Sequence, residues 1–116
     1  MEIKRMDGNG RMSAGVVHNH VLYLSGLTAR GVAYDAKEQT RVVLEKVEKN
    51  LEKYGSGKDK LLSATIYLKD MSFFAEMNEV WDSWVAPDAA PTRACVEAAL
   101  AAEELIVEIV VTAAVD

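Results

Sequence analysis

The stretch from Asp35 to Gly55 constrains the fold more than any other part of the chain. Ala36, Thr40, Val43, Leu44, Val47, Leu51 and Tyr54 recur at spacings of three and four, which makes one apolar stripe down a helix. Asp35, with Glu38 three residues on, reads as a capping box in which both acids satisfy free backbone N–H groups. Gly55 supplies the stop. Charged residues fill the opposite face, so this helix has to lie on something apolar.

The neighbouring segments supply that surface. Residues 2–6 read as a short edge strand before the turn-rich Asp7, Gly8, Asn9 and Gly10. Residues 14–18 and 21–25 read as a hairpin with Asn19 in its turn. Along 61–69, Leu62, Ala64, Ile66 and Leu68 alternate with Ser63, Thr65 and Tyr67, giving one greasy and one mixed face. Asp70 or Ser72 caps a second helix with the stripe Phe73, Met77, Val80, Trp81 and Trp84, and Pro87 bars its continuation. Ala94 to Leu105 favours helix by propensity. The run from Leu105 to Thr112 is β-branched and reads as a strand. Two helices on one face of a sheet is the natural α+β arrangement, and 116 residues suit one domain, 1–116. Half of the residues are hydrophobic. That surplus fits either a well-packed core or a core plus a sheet face covered by sister subunits.

Charge narrows the function. Thirteen Lys and Arg against eighteen Asp and Glu leave −5, whereas nucleic-acid binders usually carry a basic stripe. Lys46, Lys49 and Lys53 are interleaved with Glu45, Glu48 and Glu52, a solvated face laced with local ion pairs. The chain is therefore not expected to bind nucleic acid. One cysteine, Cys95, allows no intrachain disulfide and fits a reducing compartment. With no signal-like N-terminus and no apolar run of about 18 residues, no membrane association is expected, and the expected location is the cytoplasm.

Few residues invite chemistry. Glu108 sits inside the most hydrophobic strand, where a carboxylate faces water, pairs with a cation or changes its pKa. Arg93, after Pro91 and Thr92, offers a planar fork suited to a carboxylate; a surface arginine after a loop is the bland alternative. Cys95 lies two residues on and shares Arg93's face if the segment is a strand. With no basic partner it reads as the small wall of a pocket or core rather than a nucleophile. His18 and His20 belong to a hairpin tip, so no metal is expected. No phosphate-cradling glycine loop is present, and no cofactor is expected.

The segments Asn78, Glu79, Val80, Trp81, Asp82, Ser83, Trp84, then Ala90 through Glu97, and Val107 through Val110 resemble the signature of the RidA/YjgF family. Leu24-Ser25-Gly26, Gln39-Thr40 and Leu62 through Asp70 match in order and spacing. The likeness runs from about residue 12 to the C-terminus. It implies a chorismate-mutase-like fold, with a mixed sheet, two helices on one side, and three subunits joining their sheets into a barrel with clefts between neighbours. It also turns residues 94–99 from helix to strand. The implied activity is hydrolysis of reactive 2-imino acids to 2-oxo acids and ammonia. Arg93 would hold the substrate carboxylate, Glu108 would orient or activate water, and the Cys95 neighbourhood would shape the pocket. Ser25 and Asn78 match further cleft positions. A non-catalytic trimer that binds small carboxylates is the alternative. The chain departs from the family pattern at Thr92, commonly Ala, and at Met12, commonly Tyr. It also has a short loop over residues 27–31, and Arg30 there adds a cation near the cleft mouth.

Overall fold

The computed structural model describes residues 2–116. Six strands, β1 (Lys4–Gly8), β2 (Ser13–His18), β3 (Val21–Leu24), β4 (Leu61–Leu68), β5 (Thr92–Glu97) and β6 (Val107–Ala114), form one sheet in the order β1-β2-β3-β6-β4-β5. Only β4 and β5 are parallel. Helices α1 (Ala36–Lys53) and α2 (Phe74–Trp84) pack against each other, and both bury side chains in the core over one sheet face.

The α1 stripe is buried as its spacing predicts, with Val43, Val47 and Leu51 fully enclosed. Asp35 Oδ1 accepts from Glu38 N at 2.9 Å, which is one half of the expected capping box. The other half does not form, because the Glu38 carboxylate turns to Arg41 one turn along the helix. At the far end Gly55 takes a left-handed φ of 87°, and Ser56 N donates to Leu51 O, the closing pattern expected of a helix-ending glycine.

Four strand expectations need correction. The last strand runs Val107–Ala114 rather than from Leu105 to Thr112, because pairing with β3 carries it through Ala113 and Ala114. The first strand runs from residue 4 to 8, two residues later than predicted. Pairing with β2 carries it through Asp7 and Gly8, and the turn begins at Asn9, whose Oδ1 accepts from the backbone N of Arg11 and Met12. Leu62 does not join Ala64, Ile66 and Leu68 in the core. A register shift between Leu61 and Ser63 turns it outward, 44% exposed, and buries Leu61 instead. Residues 92–97 form strand rather than helix, because six consecutive positions pair with β4; tertiary pairing outweighs a propensity worth tenths of a kcal/mol per residue. The strand ends at Glu97, short of residues 98 and 99. The hairpin expectation holds: Asn19 and His20 take φ of 53° and 65°, the geometry of a two-residue turn whose twist matches the strands. Asp70 caps a short 3₁₀ turn by accepting from Ser72 N, and α2 follows it.

The face of the sheet away from the helices carries Val16, Val21, Tyr23, Tyr67, Val96 and Val110, with small polar Ser63, Thr65 and Thr112 among them. Tyr23 and Val96 are each more than 40% exposed. Among the described residues, no helix is long and apolar enough to cross a membrane.

Candidate active site

Strand register decides where each candidate residue points. Arg93 pairs with Ala64 and Cys95 with Ile66, and both partners lie in the core beneath the helices. Arg93 and Cys95 therefore share a face, as their spacing predicts, and that face is the helix side. The Arg93 guanidinium lies 5.4 Å from the Trp81 ring centroid and 6.0 Å from that of Phe74. Both rings come from α2. Cation–π contacts of this kind hold an arginine in place without consuming its N–H donors, and Arg93 is in no ion pair among the described residues.

Asn78 stands on the same helix between the two rings, four residues after Phe74 and three before Trp81, so all three share one stripe. Its Oδ1 is buried and accepts no hydrogen bond among the described residues. Buried polar atoms are rarely left in that condition. Burial pushes the Cys95 thiol up, opposed in smaller part by the Arg93 charge. The thiol is thus protonated at neutral pH, which suits a wall of the site and not a nucleophile.

Glu108 belongs to the other side. It pairs with Tyr67, and its neighbours Val107 and Ile109 turn into the core, so its carboxylate points to the open face. It lines an open hollow of about 300 Å³ with Tyr67, Val110 and the Ala98–Ala101 loop. Gly26 lies directly beneath it: a Cβ built on Gly26 would come 2.3 Å from Glu108 Oε2. Only glycine leaves room for the carboxylate to rest against this backbone. Ser25 is next door, and its hydroxyl donates to Ser13 O at 2.6 Å. With its proton committed, the Ser25 oxygen is left to accept from an incoming N–H.

The five candidates thus fall into two groups. Arg93, Cys95 and Asn78 gather at the β5 edge and α2, while Glu108 and Ser25 gather on the opposite face. Within one chain, Arg93 and Glu108 point away from each other. Sequence reasoning did not identify three supporting features. The Phe74–Trp81 bracket and the Gly26 seat emerge only from register and packing. Gln39, fully buried, pins the loop that walls the Glu108 hollow through bonds to Glu104 O and Ile106 N; its place in the family match and its spacing of three from Ala36 were the available signals.

A family model described as Endoribonuclease L-PSP matches residues 2–115. The RutC family protein YoaB of Escherichia coli is 44% identical over 115 residues, covering 99% of this chain and 100% of that one. NMB1025 of Neisseria meningitidis, a member of the YjgF protein family, superposes with a TM-score of 0.95 at 44% identity, covering 100% of this chain and 97% of the other. Rv2704 of Mycobacterium tuberculosis, from the YjgF/YER057c/UK114 family, gives 0.86 at 27% identity, over 98% and 100%. The six-stranded mixed sheet with two helices is the fold of these structures. On the match along nearly its whole length, the chain belongs to the YjgF family, the group described as endoribonuclease L-PSP.

Proposed function

We propose that this chain hydrolyses 2-imino acids to 2-oxo acids and ammonia, as a cytoplasmic homotrimer with its sites in the clefts between subunits. The observation that carries this reading is the opposed placement of Arg93 and Glu108 on the two faces of one sheet. A site that uses both must draw them from two copies. The apolar open face, bounded by Glu108, is the surface that neighbouring sheets would cover, and its burial accounts for the surplus of hydrophobic residues.

In such a cleft Arg93, with its donors free, grips the substrate carboxylate through two parallel hydrogen bonds. The imine carbon then lies near Glu108 of the neighbour. Glu108 orients a water whose oxygen adds to that carbon while the C=N π electrons move to nitrogen. The two protons of that water pass to nitrogen by way of Glu108, so the C–N bond breaks and ammonia leaves as the C=O forms. The imine is already electrophilic, so positioning and a local negative charge supply the catalysis. Ser25, able only to accept, steadies the imine N–H.

The ribonuclease name within the family finds less support here. Net charge is −5, and the two histidines sit at a hairpin tip, His18 Nδ1 lying 3.3 Å from Glu2 O.

The test is imine diversion. An amino-acid oxidase generates the 2-imino acid, semicarbazide competes for it, and the protein should reduce semicarbazone formation. No effect on any imine, with 2-oxo acids still bound, would replace the enzyme with a carboxylate-binding trimer. Gly26→Ala probes the geometry more finely. The added methyl forces the flexible end of Glu108 aside, so kcat/KM is expected to fall about 100-fold with the melting temperature nearly unchanged. Unaltered kcat/KM would show that the seat is irrelevant to turnover.

A further inference from the structure

The chain has five arginines, and three have evident partners: Arg30 meets Glu104, Arg41 meets Glu38, and Arg93 lies over Trp81 and Phe74. Arg5 and Arg11 are in no ion pair among the described residues, in a protein with an excess of acids. Both line one open hollow of about 430 Å³ with Gly8, Gly10, Met12 and Ser13. Arg5 pairs with Val16, Val16 with Tyr23 and Tyr23 with Thr112, which places this hollow on the same face of the sheet as Glu108.

The hollow also lies at the same end of the strands. Ser13 O receives the Ser25 hydroxyl, Gly26 follows Ser25, and the Glu108 carboxylate rests on Gly26. Ser13, Ser25–Gly26 and Glu108 thus form a row across β2, β3 and β6. Two strand spacings, about 10 Å, separate the row's ends, a gap that a short substrate and an arginine side chain together can span. The turn that presents Arg11 is fixed. Asn9 Oδ1 holds the backbone N of Arg11 and Met12, and Asn9 N donates to Met12 O. Tyr54 and Lys53 of the α1 end hold Asp7 at its base.

We propose that Arg11, backed by Arg5, is a second cation of the site and selects 2-imino acids whose side chain ends in a carboxylate, the imines of glutamate and aspartate. This rests on the imine-deaminase reading. Arg93 of one subunit takes the α-carboxylate, and Arg11 of the neighbour takes the distal one. Arginine's planar fork matches a carboxylate as a lysine would not. The hydrolysis is unchanged, with water entering at the imine carbon and ammonia leaving.

The experiment compares wild type with Arg11→Gln on imines generated from glutamate and from leucine, alongside calorimetric titration with 2-oxoglutarate and 2-oxobutanoate. Wild type should favour the glutamate imine. Arg11→Gln should lower kcat/KM for it by about 10- to 100-fold, the value of a hydrogen-bonded charge, and leave the leucine imine within about twofold. Binding of 2-oxoglutarate should weaken in step while 2-oxobutanoate does not. Equal losses on both imines, or a lowered assembly mass, would assign Arg11 to the subunit interface and overturn the proposal. So would a wild type without preference for the acidic imine. If no imine is turned over, the deaminase reading falls separately. The titration then decides, because 2-oxoglutarate affinity insensitive to Arg11→Gln overturns the second cation.

Discussion

Arg93→Ala is expected to lower kcat/KM for 2-imino acids by about 1,000-fold while the protein stays folded. The substitution removes two charge-assisted hydrogen bonds to the substrate carboxylate, about 4 kcal/mol together, and each 1.36 kcal/mol is a factor of ten in rate. The structural cost is small. Arg93 is exposed on an edge strand, and its contacts with Trp81 and Phe74 contribute no more than about 1 kcal/mol. Arg93→Lys restores charge without the fork, so it should recover only part of the loss. The check is the semicarbazide competition assay on all three proteins, with thermal melts beside it. Wild-type rates in Arg93→Ala would remove the carboxylate clamp from the mechanism.

The largest expected loss of stability comes from a residue far from the chemistry. Gln39 has no exposed surface. Its Nε2 donates to Ala33 O at 3.2 Å and Glu104 O at 2.8 Å, and its Oε1 accepts from Ile106 N at 2.9 Å. One side chain therefore fastens the loop before α1 and the loop before β6. Leucine fills nearly the same volume but leaves all three backbone groups without their partner. At about 1–3 kcal/mol for each orphaned group, Gln39→Leu should destabilise by about 4 kcal/mol, a large part of the 5–15 kcal/mol typical of a domain. The melting temperature should drop by about 10–20 °C. The second loop leads from the Ala98–Ala101 wall of the Glu108 hollow, so activity should decline well below the melting point. A shift of only a degree or two would mean that water replaces the amide without penalty.

Sequence and structure agree where the signal is local. The α1 stripe, the Asp35 cap, the Gly55 stop and the Asn19–His20 turn each depend on a few adjacent residues, and each forms at the expected place. Disagreement begins where a distant strand decides. Residues 94–97 are helical by propensity, but pairing with β4 makes them a strand. The bulge that exposes Leu62 arises from its pairing with β6, 45 or more residues away. The site divides in the same way. Arg93 and Glu108 stand out as lone ionisable groups beside apolar runs, and the family resemblance assigns them roles. Their placement on opposite faces follows only from the register partners Ala64 and Tyr67. Gly26 beneath Glu108 and the rings beneath Arg93 likewise depend on which elements meet.

The central claim is that one site takes Arg93 from one subunit and Glu108 from another. Mixed assemblies test it directly. Arg93→Ala and Glu108→Gln, differently tagged, are refolded together in equal amounts, and the mixed trimers are isolated by both tags. Each parent alone should be nearly inactive. Each mixed trimer, two copies of one parent and one of the other, has one cleft in three that joins an intact Arg93 to an intact Glu108, so activity should return to about a third of wild type. If mixed trimers form and stay as inactive as their parents, the two residues do not meet across a subunit boundary, and the account is wrong.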